Sequence, residues 1–411
     1  MSAPPPSRNR PAAVRAGAVI AVACALAAGC GTTPAGSSGP TAVPATGSAL
    51  PSLAPLATSF AGSAGAGQAI VPMGGPAAEE DNFWELFVRP AGSAQWRLVT
   101  PAGVADNGGL EVAGTGGSLV TGFRPSQDLT FSPLAVTSDD GNSWSPAGPV
   151  NPGLAAAPDA LAAGPGGRLM ALTTDGRVEL GTGAGTAWTP LSSTGALATT
   201  PAGRSCGLTG LTGATFGSSG FPMLAGDCSR PGTVGILADQ AGTWRSAGPA
   251  LSGSLSREDI GVLRLTRTTT GAGHGVMALL RAGSGPDTSL VAAWSGGSGP
   301  WTLSAPLRIG AGQLLSTSVG PGGAIGIILN GRHAESLGGA GASWRALPAL
   351  PAAAATLALG PGGRVDAIAA HGGVFTDWRL TPGMSGKARA GTARWSLAQT
   401  LHVTIPYGSS G

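Results

Sequence analysis

Four acids, Asp106, Asp159, Glu258 and Asp259, stand just ahead of short strand-like runs. Two carboxylates held about 5–9 Å apart across a sugar are enough for glycoside hydrolysis. Acids at turns and strand starts are the plainer assignment for all four. The histidines His274, His333, His371 and His402 are scattered and share no metal-ligand spacing, so no metal or cofactor is expected. The glycine-rich stretches at Gly62–Gly67 and Gly181–Gly185 have no strand–loop–helix context of a phosphate cradle. No Gly-x-Ser-x-Gly elbow is apparent in such a context. No residue is assigned a catalytic role.

These residues must be positioned by a chain of unusual composition. Of 411 residues, 71 are Gly and 34 are Pro, which approaches the range of low-complexity disorder. Yet 42% are hydrophobic, only 10% are charged and the mean hydropathy is +0.21. Such a chain can bury a core, which excludes wholesale disorder. No apolar run reaches 18 residues, so several membrane-spanning helices are excluded as well. A turn-rich protein of many short strands remains.

Residues 1–29 have the form of a signal peptide. Arg8, Arg10 and Arg15 precede the apolar run Gly17–Ala28, which leads into Cys30. The segment Leu26-Ala27-Ala28-Gly29-Cys30 resembles the lipobox of bacterial lipoproteins. That resemblance implies a diacylated Cys30 at the new N-terminus and attachment to the extracytoplasmic face of the cell membrane. Residues 30–55 are rich in Gly, Pro, Ser and Thr, as in a flexible tether. Removing residues 1–29 takes away three Arg and no acid, leaving the remainder formally neutral. With a single Lys, Lys387, and no basic stripe, nucleic acid is excluded as a partner. In an oxidising compartment, Cys206 and Cys228 form an even pair flanking a strand–turn–strand segment, and a disulfide is expected.

The dominant signal is repetition. Seven of ten Trp fall in one phase: Trp96, Trp144, Trp188, Trp244, Trp301, Trp344 and Trp395. Their spacing is near 50 residues, and Gly-Pro-Gly-Gly recurs at Gly164, Gly320 and Gly360. Short β-rich runs such as Leu169–Thr173, Ile325–Leu329 and Val365–Ala369 lie between these landmarks. A repeat of that length with about four short strands is the mark of a β-propeller blade.

One copy is sharp: Thr137-Ser138-Asp139-Asp140-Gly141-Asn142-Ser143-Trp144. It resembles the Asp-box (BNR) repeat of sialidase-like propellers, with Thr137, Asp139, Gly141 and Trp144 at its fixed positions. The resemblance implies a structural hairpin away from the active centre, with Trp144 plugging the gap beside the next blade. Sialidases of this fold use a Tyr nucleophile with a Glu, an acid Asp and three Arg. The only Tyr here, Tyr407, lies outside the blades, and no catalytic position of that family is matched.

The expected fold over residues 56–411 is therefore an all-β propeller of seven four-stranded blades, with six as the alternative count. Inner strands are expected at Leu110–Gly114, Ala160–Gly164, Ser205–Gly210, Val262–Thr266, Leu314–Ser318 and Thr356–Gly360. Leu401–Tyr407 is expected to help close the ring. Asp106, Asp159, Glu258 and Asp259 would then stand where loops meet the central channel, as candidate ligand contacts. The out-of-phase Trp84, Trp294 and Trp378 are expected in core or inter-blade packing. The expected function is that of a monomeric, surface-tethered binding or scaffold module for a glycan or protein. A secreted glycan-active hydrolase on the same fold is the alternative.

Overall fold

The computed structural model describes residues 57–403, apart from 63–64, 72, 75–82, 102–109, 116–117, 124–133, 145–157, 183–186, 271–272, 297–299, 311–313, 331, 372 and 382–392. The expected signal segment, the tether, Cys30, Asp106 and Tyr407 lie outside the described residues.

Glycine turns cut the chain into short strands. At the three Gly-Pro-Gly-Gly turns, the first Gly donates its N–H to the carbonyl four residues on. Gly164 reaches Arg168, Gly320 reaches Ala324 and Gly360 reaches Arg364, each at 2.8 Å. The third and fourth residues of every turn have φ between +68° and +79°, a conformation that favours glycine. The same hairpin thus joins the first and second strands in three different repeats.

Seven antiparallel sheets follow one another along the chain. Their first strands are Ala57–Gly62, Leu110–Thr115, Pro158–Ala163, Leu208–Phe216, Ile260–Thr270, Leu314–Val319 and Ala354–Leu359. Each is followed by its partners in sequence order, so every blade is a meander. Three strands of blade 2 fall among the described residues. Blade 1 carries an inserted ribbon, Met73–Gly74 with Phe83–Trp84. First strands of neighbouring blades pack on one another, those of blades 5 and 6 meeting through the Arg264–Thr317 hydrogen bond at 2.9 Å, and that of blade 7 packs on that of blade 1. They are therefore innermost, and the sheets form a seven-bladed β-propeller.

The core is a series of seams. Seven apolar clusters among the described residues each draw on two neighbouring blades. Strand alternation explains this, since successive side chains point to opposite faces. In Leu169–Thr173, Leu169 and Ala171 join the cluster toward blade 2, while Met170 and Leu172 join the one toward blade 4. A strand buried on both faces carries no polar alternation, which is why these runs read as continuously apolar.

The in-phase Trp lie on or beside the outermost strands and tie each blade to its predecessor. The Trp144 indole N–H donates to the Val99 carbonyl at 2.8 Å, and Trp301 donates to Ala247 at 2.8 Å. Trp344 donates to Ala305 at 3.1 Å and Trp395 to Pro348 at 2.9 Å. Each acceptor lies three or four residues beyond the Trp of the preceding blade, so one structural position is reused at four seams. Trp144 also packs against the apolar cluster shared by blades 1 and 2, which includes Val99. It fills the gap toward the preceding blade, not the next one as the sequence suggested. Of the out-of-phase Trp, Trp294 donates to Gly323 in the blade 6 turn at 3.0 Å, and Trp378 donates to Thr376 within blade 7.

Two expected elements differ. Ser205–Gly210 is not a strand from its start: Pro201–Cys206 is helical and the strand begins at Leu208. Thr200 caps the helix by accepting from Gly203 N–H at 3.0 Å, Pro201 opens it, and Gly207 at φ +72° ends it. The tail strand is Arg394–His402, the outermost strand of blade 7 itself. Leu401 and Val403 nonetheless belong to the apolar cluster that contains Ile70, Phe87 and Trp96 of blade 1.

Cys206, at the end of that helix, is bonded to Cys228, at the end of the second strand of blade 4, with Cα atoms 5.3 Å apart. The sequence separation of 22 makes the bridge worth about 3 kcal/mol in the chain-entropy model. Non-reducing peptide mapping should recover the Cys206–Cys228 pair, and a Cys206→Ala/Cys228→Ala variant should lose about that much stability in denaturant titration. A second expectation concerns Trp144. Full burial would make Trp→Ala cost ~3–5 kcal/mol; half-buried Trp144→Ala should fall at about 2–3 kcal/mol. Trp144→Phe, which removes the indole donor but keeps a ring, should cost about 1 kcal/mol. Thermal melts of the two variants check the split, and a Trp144→Phe melt equal to wild type would show that the indole hydrogen bond contributes nothing.

Candidate functional site

In a meander, the first-to-second and third-to-fourth turns lie at one end of the ring. The second-to-third turns and the blade-to-blade connections lie at the other. Asp159 is exposed and second in the inner strand of blade 3, at the connection end. Glu258 and Asp259 immediately precede the inner strand of blade 5 at that same end. Their carbonyls accept the N–H groups of Gly232 at 2.7 Å and Gly283 at 3.0 Å, pinning loops of blades 4 and 5. Blade 4 stands between Asp159 and this pair, so the structure does not assemble them into one cluster. His333 bonds Glu335 at 3.1 Å; no group of three or more His, Cys, Asp or Glu suited to a metal occurs among the described residues.

At the opposite end, residues 137–144 form a hydrogen-bonded turn. The Thr137 hydroxyl accepts from Gly141 N–H at 2.9 Å and donates to Asp139 Oδ1 at 2.7 Å. Asp139 also accepts from Ser143 N–H at 2.9 Å and the Ser143 hydroxyl at 2.6 Å. The Ser143 and Thr137 donors hold the Asp139 carboxyl down at about 2. Gly141 has φ +83°, and a Cβ there would lie 2.6 Å from that of Val99. Glycine is therefore required by both backbone and neighbour. The Thr137, Asp139 and Ser143 side chains are used within the turn, and Arg97 of blade 1 ties it to the preceding blade by donating to Asn142 Oδ1 at 2.7 Å and the Asp140 carbonyl at 2.9 Å, so the turn is a structural unit.

Blades 7 and 1 meet at a buried charge cluster. Arg89, 3% exposed, donates to Asp366 at 2.6 Å, and its other nitrogens reach Gln68 Oε1. Gln68 in turn donates to the Leu359 carbonyl of blade 7 at 2.6 Å. Arg364 and Arg379 also bond Asp366, at 2.8 and 2.9 Å, and Arg379 donates to the Ala94 carbonyl of blade 1 at 3.0 Å. The Arg89 guanidinium stacks 4.3 Å from the centre of the Trp96 ring. Gln399 completes the seam by accepting from Trp96 N–H at 2.8 Å and donating to its carbonyl at 2.9 Å. Asp377 is fully buried and neither carboxylate oxygen has a hydrogen bond, although Arg379 lies 3.7 Å away. Burial, with the Asp366 charge beside it, pushes the Asp377 carboxyl up to about 7. This cluster was not foreseen, because its members are scattered from Gln68 to Gln399 without a common motif.

A groove of about 360 Å³ opens between blades 4 and 5 at the turn end. One wall is the Gly217–Phe221 turn and the other the Asp239–Gln240 turn, with Met223, Val276 and Trp301 beneath. Phe221 is 47% exposed, unusual for its type. Blade 3 fixes its turn: Arg168 donates to the Gly220 carbonyl at 3.0 Å and lies 5.0 Å over the Phe216 ring. The indole N–H of Trp301 is taken by Ala247, leaving its ring as a groove surface. Asp239 Oδ1 accepts from Gly242 N–H at 2.8 Å. The other Asp239 oxygen and the side chains of Ser218, Ser219, Gln240 and Ser246 make no hydrogen bond among the described residues. Arg267 pairs with Val276 in the ladder and so shares its face; its Nε is buried without a hydrogen-bond partner. Trp301 and the Asp239 turn were visible in the repeat, but nothing in the sequence joined them to Phe221 of another turn.

A seven-bladed propeller with structural Trp seams, a charged closure and one polar–aromatic groove is the class defined here. No family model and no curated protein matches the chain. Among solved structures it is similar to YCF48 from Cyanidioschyzon merolae, at 16% identity and TM-score 0.44, covering 72% of this chain and 92% of that one. It is also similar to the six-bladed fucose lectin of Aleuria aurantia, at 14% identity and TM-score 0.41, covering 87% and 98%. A third is the GH74 xyloglucanase of Xanthomonas campestris, at 14% identity and TM-score 0.47, covering 78% of this chain and 53% of that one.

The raised Asp377 carboxyl has a pH consequence. Its pKa rises from 3.8 to about 7 on folding, so the folded chain holds the extra proton between those values. Stability contributed by this group therefore falls as pH rises from about 4 to about 7. Glu179 and Asp227 are also pushed up by burial and act in the same sense. Asp377→Asn should flatten the decline relative to wild type and raise the melting temperature by several degrees at pH 8, with little change at pH 4. Parallel melting curves for the two proteins would refute the assignment.

Proposed function

We propose that the chain is a membrane-tethered, extracytoplasmic binding propeller that holds its ligand without transforming it. The observation that carries this reading is the groove's content: exposed aromatic surface and free hydrogen-bonding groups, with Asp239 as its single carboxylate lining residue. A two-carboxylate hydrolase needs a second acid across the substrate. Asp159, Glu258 and Asp259 belong to the opposite end of the ring, and Asp366 is committed to its Arg partners in the seam. The alternative, a glycan-active hydrolase, thus lacks its pair in this groove. The 137–144 turn, with Thr137, Asp139 and Ser143 bonded to one another, supports its reading as an Asp-box, a repeat element and not a site. The basic–apolar–Cys30 order of the first thirty residues supports the tether.

Two measurements test the proposal. Mass spectrometry of the protein from its own membrane should find a diacylated N-terminal Cys30; an unmodified N-terminus at or beyond Gly31 would sink the tether. Incubation with labelled neutral and sialylated oligosaccharides should release no product, and turnover abolished by substituting any described acid would establish an enzyme instead.

A further inference from the structure

We infer that the groove between blades 4 and 5 is a binding site for a neutral saccharide, a deepening that rests on the binding-module reading above. Its volume of about 360 Å³ is at the low end of the roughly 300–1,000 Å³ typical of small-molecule sites. A pyranose ring has apolar C–H faces and a rim of hydroxyls, each both donor and acceptor. The groove offers the complement of both. Phe221 and Trp301 supply aromatic surface for the C–H faces, and Phe221 is held exposed by a turn braced from blade 3. The free Asp239 oxygen accepts hydroxyl protons, and Ser218, Gln240 and Ser246 donate or accept around it. Arg267, beside Val276, has a buried Nε that lacks an acceptor.

Charge selects the class. Asp239 is the only charged residue among those lining the groove, and a carboxylate in the wall disfavours an anionic ligand without supplying the several acids that hold a cation. A peptide strand would need a row of unpaired backbone groups to add to. The walls here are hairpin turns, not strand edges, and three of their N–H groups are already used: Gly217 bonds Phe221, Gly220 bonds Gly217 and Gly242 bonds Asp239. Hydroxyl-rich neutral ligands need only the side chains that remain free.

The test is titration of the full-length protein with methyl glycosides of glucose, galactose, mannose and N-acetylglucosamine, and with cellobiose. Calorimetry and intrinsic Trp fluorescence are read together, with sodium glucuronate, N-acetylneuraminate and trialanine as comparisons. At least one neutral saccharide should saturate with a Kd in the millimolar range or below. Phe221→Ala and Asp239→Asn should each weaken it about tenfold or more, with unchanged melting temperature. Phe221 is exposed, and Asn retains the acceptor for Gly242, so neither change threatens the fold. Absence of saturation by every neutral probe, or binding confined to the anions or the peptide, overturns the proposal. Saccharide binding that both variants leave untouched also overturns it, while leaving the binding-module reading intact. Cleavage of a bound glycoside would instead overturn that reading and spare the site.

Discussion

Ring closure by side chains alone is the constraint on which this propeller depends. All four strands of blade 7 come from one continuous stretch, Ala354–His402, and blade 1 is built wholly from the other end of the described chain. Among the described residues no strand is exchanged and no backbone ladder spans that seam. Arg89 and Asp366, Gln68 and the Leu359 carbonyl, and Gln399 and Trp96 do the joining. Removing one partner of a buried ion pair leaves an uncompensated charge, typically at a cost of 3–5 kcal/mol. An apolar seam of equal area would tolerate sliding between blades. The directional Arg–Asp geometry fixes how the first and last blades meet, and with them the positions of the five between.

The seam also shows what happens when the tryptophan device reaches the end of the chain. At four other seams, an indole N–H caps a carbonyl three or four residues past the previous Trp. At closure the residue four past Trp395 is Gln399, whose side chain grips the Trp96 backbone from both sides. The Trp96 indole N–H is left buried without a partner, and its ring accepts the Arg89 cation instead. The same register is kept while the chemistry changes from a backbone acceptor to a side-chain clamp. The substitution is intelligible because this seam must hold without covalent continuity.

Periodicity made the blades legible. Trp spacing, the Gly-Pro-Gly-Gly turns and the apolar second strands are local patterns repeated with one phase, so fold class, blade count and most inner strands followed from them. Cys206 and Cys228 were readable for the same reason, since the strand pair between them is local. What failed was also local in cause. Thr200, Pro201 and Gly207 supply the cap, first turn and stop of a short helix, and these signals override the strand phase around Ser205. The closure cluster and the groove are illegible for a different reason. Each is assembled from residues that meet only after the ring has formed, and neither Gln68 nor Phe221 carries a signature of its partners.

Location then follows from the division of labour between the two ends. The connection end carries the acids that sequence order made conspicuous, yet Glu258 and Asp259 hold loops together through their backbone. At the turn end, the 137–144 hairpin spends its Thr137, Asp139 and Ser143 side chains on itself and gives Asn142 to Arg97 of blade 1, whereas the blade 4 turns leave side chains free. Asp239 uses one oxygen to bend its turn and leaves the other free, and Gly217–Phe221 closes its backbone hydrogen bonds while presenting an aromatic ring. A turn that is internally satisfied in its backbone can afford reactive or recognising side chains without losing shape. Rigidity supplied by the seams on either side, Arg168 from blade 3 and Trp301 from blade 5, is what turns two ordinary hairpins into a preorganised surface.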